Sequence, residues 1–169
     1  MKKVVFTGPE STGKSTLAKK LSETLGCSWV REYARTYLAQ LNRPYVQDDL
    51  LVMAKGQVEA ESLALKTSDM LICDTDLLTI KVWSEFKYSN CDPWIVQELK
   101  NNLPDLYLIC YPDLKWEYDP QRENPDDRLA LFEIYLVEVK KLGVPFVVVK
   151  GEGLQRAKNS MNAVREIIS

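Results

Sequence analysis

Two glycines five positions apart, followed at once by Lys14, Ser15 and Thr16, fit the phosphate-binding pattern G-x-x-x-x-G-K-[ST] as Gly8-Pro9-Glu10-Ser11-Thr12-Gly13-Lys14-Ser15-Thr16. That spacing can hold a polyphosphate. Gly8 and Gly13 allow backbone angles closed to other residues, so successive N–H groups can face one anion at the positive end of a helix. Lys14 would then reach the outer phosphates and Ser15 would offer its hydroxyl to Mg²⁺, while Glu10, Ser11, Thr12 and Thr16 belong to the same cofactor-binding stretch. Three acids stand at positions suited to the rest of the chemistry. Asp74 closes an apolar run and is expected toward the metal. Asp76, two residues on, is expected either as a helix cap or as a catalytic, substrate-facing acid. Glu32 follows the short run Cys27-Ser-Trp-Val30 and is the preferred proton acceptor, with Tyr33 and Arg35 beside it for the substrate. The chain has no histidine. Ser-His-Asp and Cys-His catalysis are thereby excluded, and a general base must be a carboxylate, a lysine or a tyrosine.

The elements that must carry these residues can be read from the hydrophobic pattern. Lys2 to Thr7 reads as a buried strand, and Leu17, Leu21 and Leu25 recur at helical spacing after the glycine loop. Gly26 suits a left-handed helix end. A helix beginning near Glu32 would be stopped by Pro44, and a long helical pattern runs from Gln47 to about Lys66, with Asp48 and Asp49 as capping charges in its first turn. Asp69 to Asp74, Leu106 to Cys110 and Pro145 to Val149 read as further apolar strands. Helices are expected from Leu77, from Pro93 with Asp92 as its cap, from a start within Asn124-Pro125-Asp126-Asp127 to Gly143, and after the Gly151-Glu-Gly153 turn to Ile168. Strands apolar throughout and alternating with helices predict a parallel five-stranded sheet covered on both faces, an α/β fold. Tyr111 to Asp127 breaks the rhythm. It is polar, marked by Pro112, Pro120 and Pro125, and carries Trp116 and Arg122; a lid is expected, with Arg122 brought over transferring phosphate.

Length and charge narrow the class. The 169 residues suit one domain, and 22 basic residues against 24 acidic ones include no basic block that would track a nucleic acid. A small-molecule substrate is expected. Cys27, Cys73, Cys91 and Cys110 show no paired spacing and read as free thiols. No apolar run approaches the ~18 residues of a membrane span. The first strand begins at the N-terminus without a leader-like segment, so a cytoplasmic protein is expected. No Asn-Lys-x-Asp element for guanine occurs, which leaves ATP as the expected donor.

Together these landmarks resemble the ribosylnicotinamide kinase domain at the C-terminus of NadR proteins, and the small stand-alone ATPases related to it. The resemblance rests on the glycine loop, Glu32-Tyr33-x-Arg35-x-Tyr37, Asp74-Thr75-Asp76, the Trp116 to Arg122 stretch and Asp127-Arg128, in that order over nearly the whole chain. It implies a P-loop kinase fold and phosphorylation of the 5′-hydroxyl of nicotinamide riboside by ATP and Mg²⁺. Without histidine the chain does not carry the His-x-Gly-His signature of the adenylyltransferase that accompanies this domain in full NadR proteins. The aromatic residues Trp29, Tyr33, Trp83, Trp116 and Tyr118 are candidates to face a flat cationic nicotinamide ring.

Overall fold

All of the expected strands form and pair in parallel. The computed structural model describes residues 2–168. Strand β1 (Lys2–Thr7) leads through the glycine loop into α1 (Lys14–Leu25), then β2 (Ser28–Val30), α2 (Tyr33–Gln40) and α3 (Gln47–Ala64). β3 (Met70–Asp74), α4 (Leu77–Tyr88), α5 (Pro93–Asn101) and β4 (Leu106–Cys110) follow. The chain closes with α6 (Arg128–Leu142), β5 (Phe146–Val149) and α7 (Gly153–Ile168).

The sheet order is β2-β3-β1-β4-β5, with β1 at the centre. Its register aligns Phe6 with Asp74 on one side and with Leu108 on the other. The chain therefore changes direction across the sheet beside β1, and the carboxyl ends of β1, β3 and β4 open onto a common crevice, where open parallel sheets place their ligands.

Alternation along the strands supplies two cores. Val4 and Phe6 face α1 and α7, packing with Leu17, Leu21 and Val164. Val5, Cys73, Tyr107 and Ile109 face the other way, against Met53 of α3, Leu78 and Val82 of α4, Ile95 of α5 and Phe132 of α6. Because helices cover both faces, the strands have no polar side and read as continuous apolar runs.

Local signals set the boundaries. Gly26 and Gly143 adopt left-handed angles at the ends of α1 and α6. Asp92 caps α5 by accepting from the Trp94 N–H at 2.8 Å. The Asp49 carboxylate reaches back to the Val46 N–H at 2.8 Å and also binds both Arg43 Nη atoms and the Tyr37 hydroxyl. Asp49 thus has the capping role expected of it. Asp127 occupies the N-cap position before α6 but makes no side-chain cap bond. All four cysteines are free thiols. Among the described residues, no helix is long and apolar enough to cross a membrane.

Candidate active site

The loop after β1 owes its shape to Gly8, whose φ is 123°. A Cβ there would lie 2.8 Å from the Cys110 carbonyl oxygen, so no side chain fits against β4. Gly13 takes a φ of 75° at the start of α1, where its conformation aims the first helical N–H groups into the loop. Two side chains brace the loop from within. The Thr12 hydroxyl and Lys14 Nζ both donate to the Pro9 carbonyl, at 2.8 and 2.7 Å.

Two acids from neighbouring strand ends face this loop. Asp74 is almost fully buried, and its Oδ1 has no hydrogen-bond partner. Burial raises its pKa, while the Ser15 hydroxyl and then the Lys14, Arg35 and Arg31 charges pull it down. Glu32 stands just before α2, partly open to the crevice yet surrounded by protein. Desolvation and the neighbouring Asp74 charge push its pKa up to about 7, against the opposing pull of Lys14 and Arg35. A carboxyl so placed can exchange a proton near neutrality.

The crevice contains a cavity of 340 Å³ lined by the glycine loop, Glu32, Arg35, Trp83, Arg122 and Arg156. Glu10, Leu38, Trp83 and Gln121 also line an adjoining cavity of 490 Å³, whose other walls include Tyr45, Phe86 and Leu131. A smaller hollow of 260 Å³ lies between Ser15, Asp74 and Glu32 on one side and Arg31, Arg35 and Arg122 on the other. The segment 111–127 contains neither helix nor strand and lies over the loop. Ser11 Oγ accepts from the Glu117 N–H at 2.9 Å, and Arg128 Nη1 donates to the Leu114 carbonyl at 2.9 Å. Arg35 Nη1 bonds Asp119 at 2.7 Å, and Arg122 Nη1 donates to the Glu117 carbonyl. A polyanion, two acids and the arginines that line the crevice can therefore meet at one place.

The family model of the AAA domain AAA_28 matches residues 3–156, most of the chain. This chain belongs to the AAA_28 family. The AAA_28 chain is 28% identical over 155 residues to the trifunctional NAD biosynthesis/regulator protein NadR of Salmonella typhimurium. That alignment takes in 87% of this chain and 38% of the relative's length. A solved structure of NadR protein in complex with NR superposes with a TM-score of 0.80 at 23% identity, over 98% of this chain and 51% of that one. Deoxyadenosine kinase from M. mycoides, solved with the products dCMP and a flexible dCDP bound, superposes with a TM-score of 0.69 at 19% identity. There the match covers 97% of this chain and 99% of that one. The chain thus spans about half or less of its NadR relatives, and it has the P-loop fold of nucleoside kinases.

The AAA_28 fold gathers Lys14, Ser15, Glu32, Arg35, Asp74 and Arg122 around one crevice, but not every residue expected there. Asp76 lines none of the three cavities. It caps α4, accepting from the Leu78 N–H at 3.0 Å and from the Tyr107 hydroxyl at 2.7 Å, so both oxygens are engaged in a buried setting. Of the two expectations for Asp76, the structure shows the cap. The Tyr33 ring packs against Gly56 of α3, so closely that a Cβ at Gly56 would fall 2.2 Å from it. Trp116 has the Arg122 and Arg128 guanidiniums near its ring, at 5.9 and 5.7 Å, and lines none of the three cavities described above. Glu10 uses its carboxylate to accept the Glu123 and Asn124 N–H groups, each at 3.1 Å, and so ties the glycine loop to the segment 111–127. Arg156 was missed by the sequence reading. Buried on α7, it donates to the Thr12, Tyr111 and Gly151 carbonyls and to Asp113. The signal was there, since Arg156, Ser160 and Val164 recur at four-residue spacing on the helix face that packs inward.

Proposed function

We propose that this chain is an ATP-dependent phosphotransferase whose acceptor is the 5′-hydroxyl of a nucleoside, with nicotinamide riboside the first candidate and nicotinamide mononucleotide the product. The observation that carries the reading is the position of Glu32. A carboxyl with its pKa pushed up to about 7 lines the cavity at the phosphate-type loop, and that cavity adjoins an aromatic-walled one large enough for a nucleoside base. The NadR likeness favours nicotinamide riboside among acceptors.

The residues present fit both implied groups. Gly8, pressed against Cys110, leaves a concavity that only backbone can line. The unpartnered, buried Asp74 Oδ1 beside the Ser15 hydroxyl suits a hard divalent cation completed by phosphate oxygens. Bound Mg·ATP would supply the transferable phosphoryl group. Gly8 to Thr16 would cradle the phosphates, with Ser15 and Asp74 holding the metal. Lys14 exchanges its bond with the Pro9 carbonyl for phosphate oxygens and offsets their charge. Glu32 takes the proton of the acceptor hydroxyl at its carboxylate. Arg35 and Arg122, now held by Asp119 and the Glu117 carbonyl, turn toward the equatorial oxygens and the ribose. Trp83 lines both cavities and can stack on a flat cationic ring, worth about 0.5–2 kcal/mol.

One observation favours a second reading. Arg31, Arg35 and Arg122 line the hollow beside Asp74, a setting suited to an acceptor that already carries a phosphate. The test is ADP release from the purified chain with Mg·ATP, without acceptor and with nicotinamide riboside, common nucleosides and nucleoside monophosphates. Turnover with nicotinamide riboside supports the first reading. Turnover with monophosphates alone moves the acceptor to the arginine hollow, and no acceptor-dependent turnover overturns both.

A further inference from the structure

Glu32 occupies the N-cap position of α2, yet its side chain makes no cap bond. A helix start leaves N–H groups without partners, and the N-cap side chain ordinarily accepts one of them. Here another element supplies the acceptor. Gln57, buried in the middle of α3, takes the Tyr33 N–H on its Oε1 at 2.9 Å. The neighbouring Gly56 makes this approach possible by leaving room for the Tyr33 ring.

The same amide reaches the second acid-bearing segment. Gln57 Nε2 donates to Glu61 Oε1 at 2.9 Å and to the Thr75 carbonyl at 3.4 Å. Its orientation is fixed by its partners, because the Tyr33 N–H can only donate while a carboxylate and a carbonyl can only accept. Thr75 follows Asp74 and holds a left-handed φ of 70°, with its N–H on the Phe6 carbonyl at 2.9 Å. Glu61 is in turn held by Lys3 of β1.

We infer that Gln57 is a positioning residue for the phosphoryl-transfer site: one buried amide holds the first N–H of α2, next to Glu32, and ties α2 to the Asp74 strand end. The inference rests on the kinase reading for its consequence, since only a base needs its carboxyl kept free. With Gln57 in place, the backbone that carries Glu32 is pinned and its carboxyl lines the crevice. Without it, the Tyr33 N–H loses its acceptor and the adjoining Glu32 carboxyl turns toward it.

The test pairs Gln57→Met, of similar length but without hydrogen bonds, with Gln57→Glu, whose carboxyl can share a proton with Glu61 and still accept from Tyr33. Displacing a catalytic group by ~1 Å costs up to about 10²-fold. Gln57→Met is therefore expected to lower kcat about 10- to 100-fold with both KM values within about 3-fold of wild type. Gln57→Glu is expected to recover most of that loss. In a Glu32→Gln background Gln57→Met should cost nothing further in kcat, because it acts through the base. A full additional loss there, or an unchanged kcat in folded Gln57→Met, overturns the inference. Should Gln57→Met fail to fold, Gln57→Glu decides: a kcat as low as that of Glu32→Gln is the overturning result. A wild-type protein inactive with every acceptor would defeat the kinase reading separately. The positioning claim is then read from a crystal structure of the variant, supported by a Glu32 carboxyl turned onto the α2 N–H groups and overturned by one left in place.

Discussion

Glu32 and Asp76 are both carboxyls whose protons are held more tightly than in water, and their partners separate their roles. Burial raises Asp76 to about 6, but its oxygens are committed to Leu78 and Tyr107. Glu32, raised to about 7, keeps its carboxylate clear for the crevice. Replacing Glu32 by Gln is expected to lower kcat by about 10²-fold or more and to abolish the acid-side fall in rate, read from a pH–rate profile. Asp76→Ala is expected to leave kcat nearly unchanged while destabilising the fold by about 2–4 kcal/mol, through a lost cap and an unpaired buried Tyr107 hydroxyl. Urea titration measures that loss. Both raised carboxyls bind more protons folded than unfolded between their ordinary pKa values and about 6 to 7, so stability falls as pH rises through that window. Asp76→Asn keeps the cap without the charge. It should be close to neutral near pH 3.5, below the window, and stabilising at pH 8, above it, by on the order of 1–3 kcal/mol.

At the scale of elements, the segment 111–127 and the start of α7 decide how the loop is held. Arg156 joins β4's exit, the loop and the β5–α7 turn through four acceptors, with Asp113 as its ionic partner at 2.6 Å. Asp113 is open to solvent, so the loss on removing Arg156 falls mainly on the three carbonyls left without their charged donor, about 1–3 kcal/mol. Arg156→Ala is therefore expected to lower the melting temperature by about 2–12 °C. Arg156→Lys should rescue little of this, since an ammonium cannot reach acceptors set around a planar fork. The Arg35–Asp119 and Glu10–lid contacts are of another kind, half exposed and interchangeable with phosphate or ribose oxygens. Removing Asp119 should free Arg35 and change substrate KM more than stability, because a pair this exposed contributes about 0–1 kcal/mol.

The molecule as a whole places its chemistry at the carboxyl edge of the sheet, so ligand binding should report on global stability. Saturating Mg·ATP at about 100 times its dissociation constant would add about 2.7 kcal/mol, or roughly 5–10 °C in melting temperature for a chain of this size. Lys14→Ala is expected to fold normally, to lose turnover and to lose most of that shift, as read by differential scanning fluorimetry. A normal thermal shift and turnover in this variant would be incompatible with the phosphate-loop reading.

Much of this was written in local pattern. The glycine loop, the apolar strands and the capping residues Asp49 and Asp92 were legible because each depends on neighbours a few residues away, through backbone angle, periodicity or one short hydrogen bond. The parallel sheet followed from strands with no polar face. Whether Asp76 serves as cap or faces the crevice was not legible, since Asp76 is claimed by Tyr107, thirty-one residues along the chain, and the N–H beside Glu32 is taken by Gln57 of another helix. Tyr33 and Trp116 likewise matched the expected motif, but Gly56 on one side and Arg122 and Arg128 on the other determine what their rings touch. The sequence by itself determined the elements and the presence of a phosphate loop, because these are properties of adjacent residues. Only the tertiary structure decided the roles of the polar side chains, because a buried donor or acceptor takes the partner that packing brings to it.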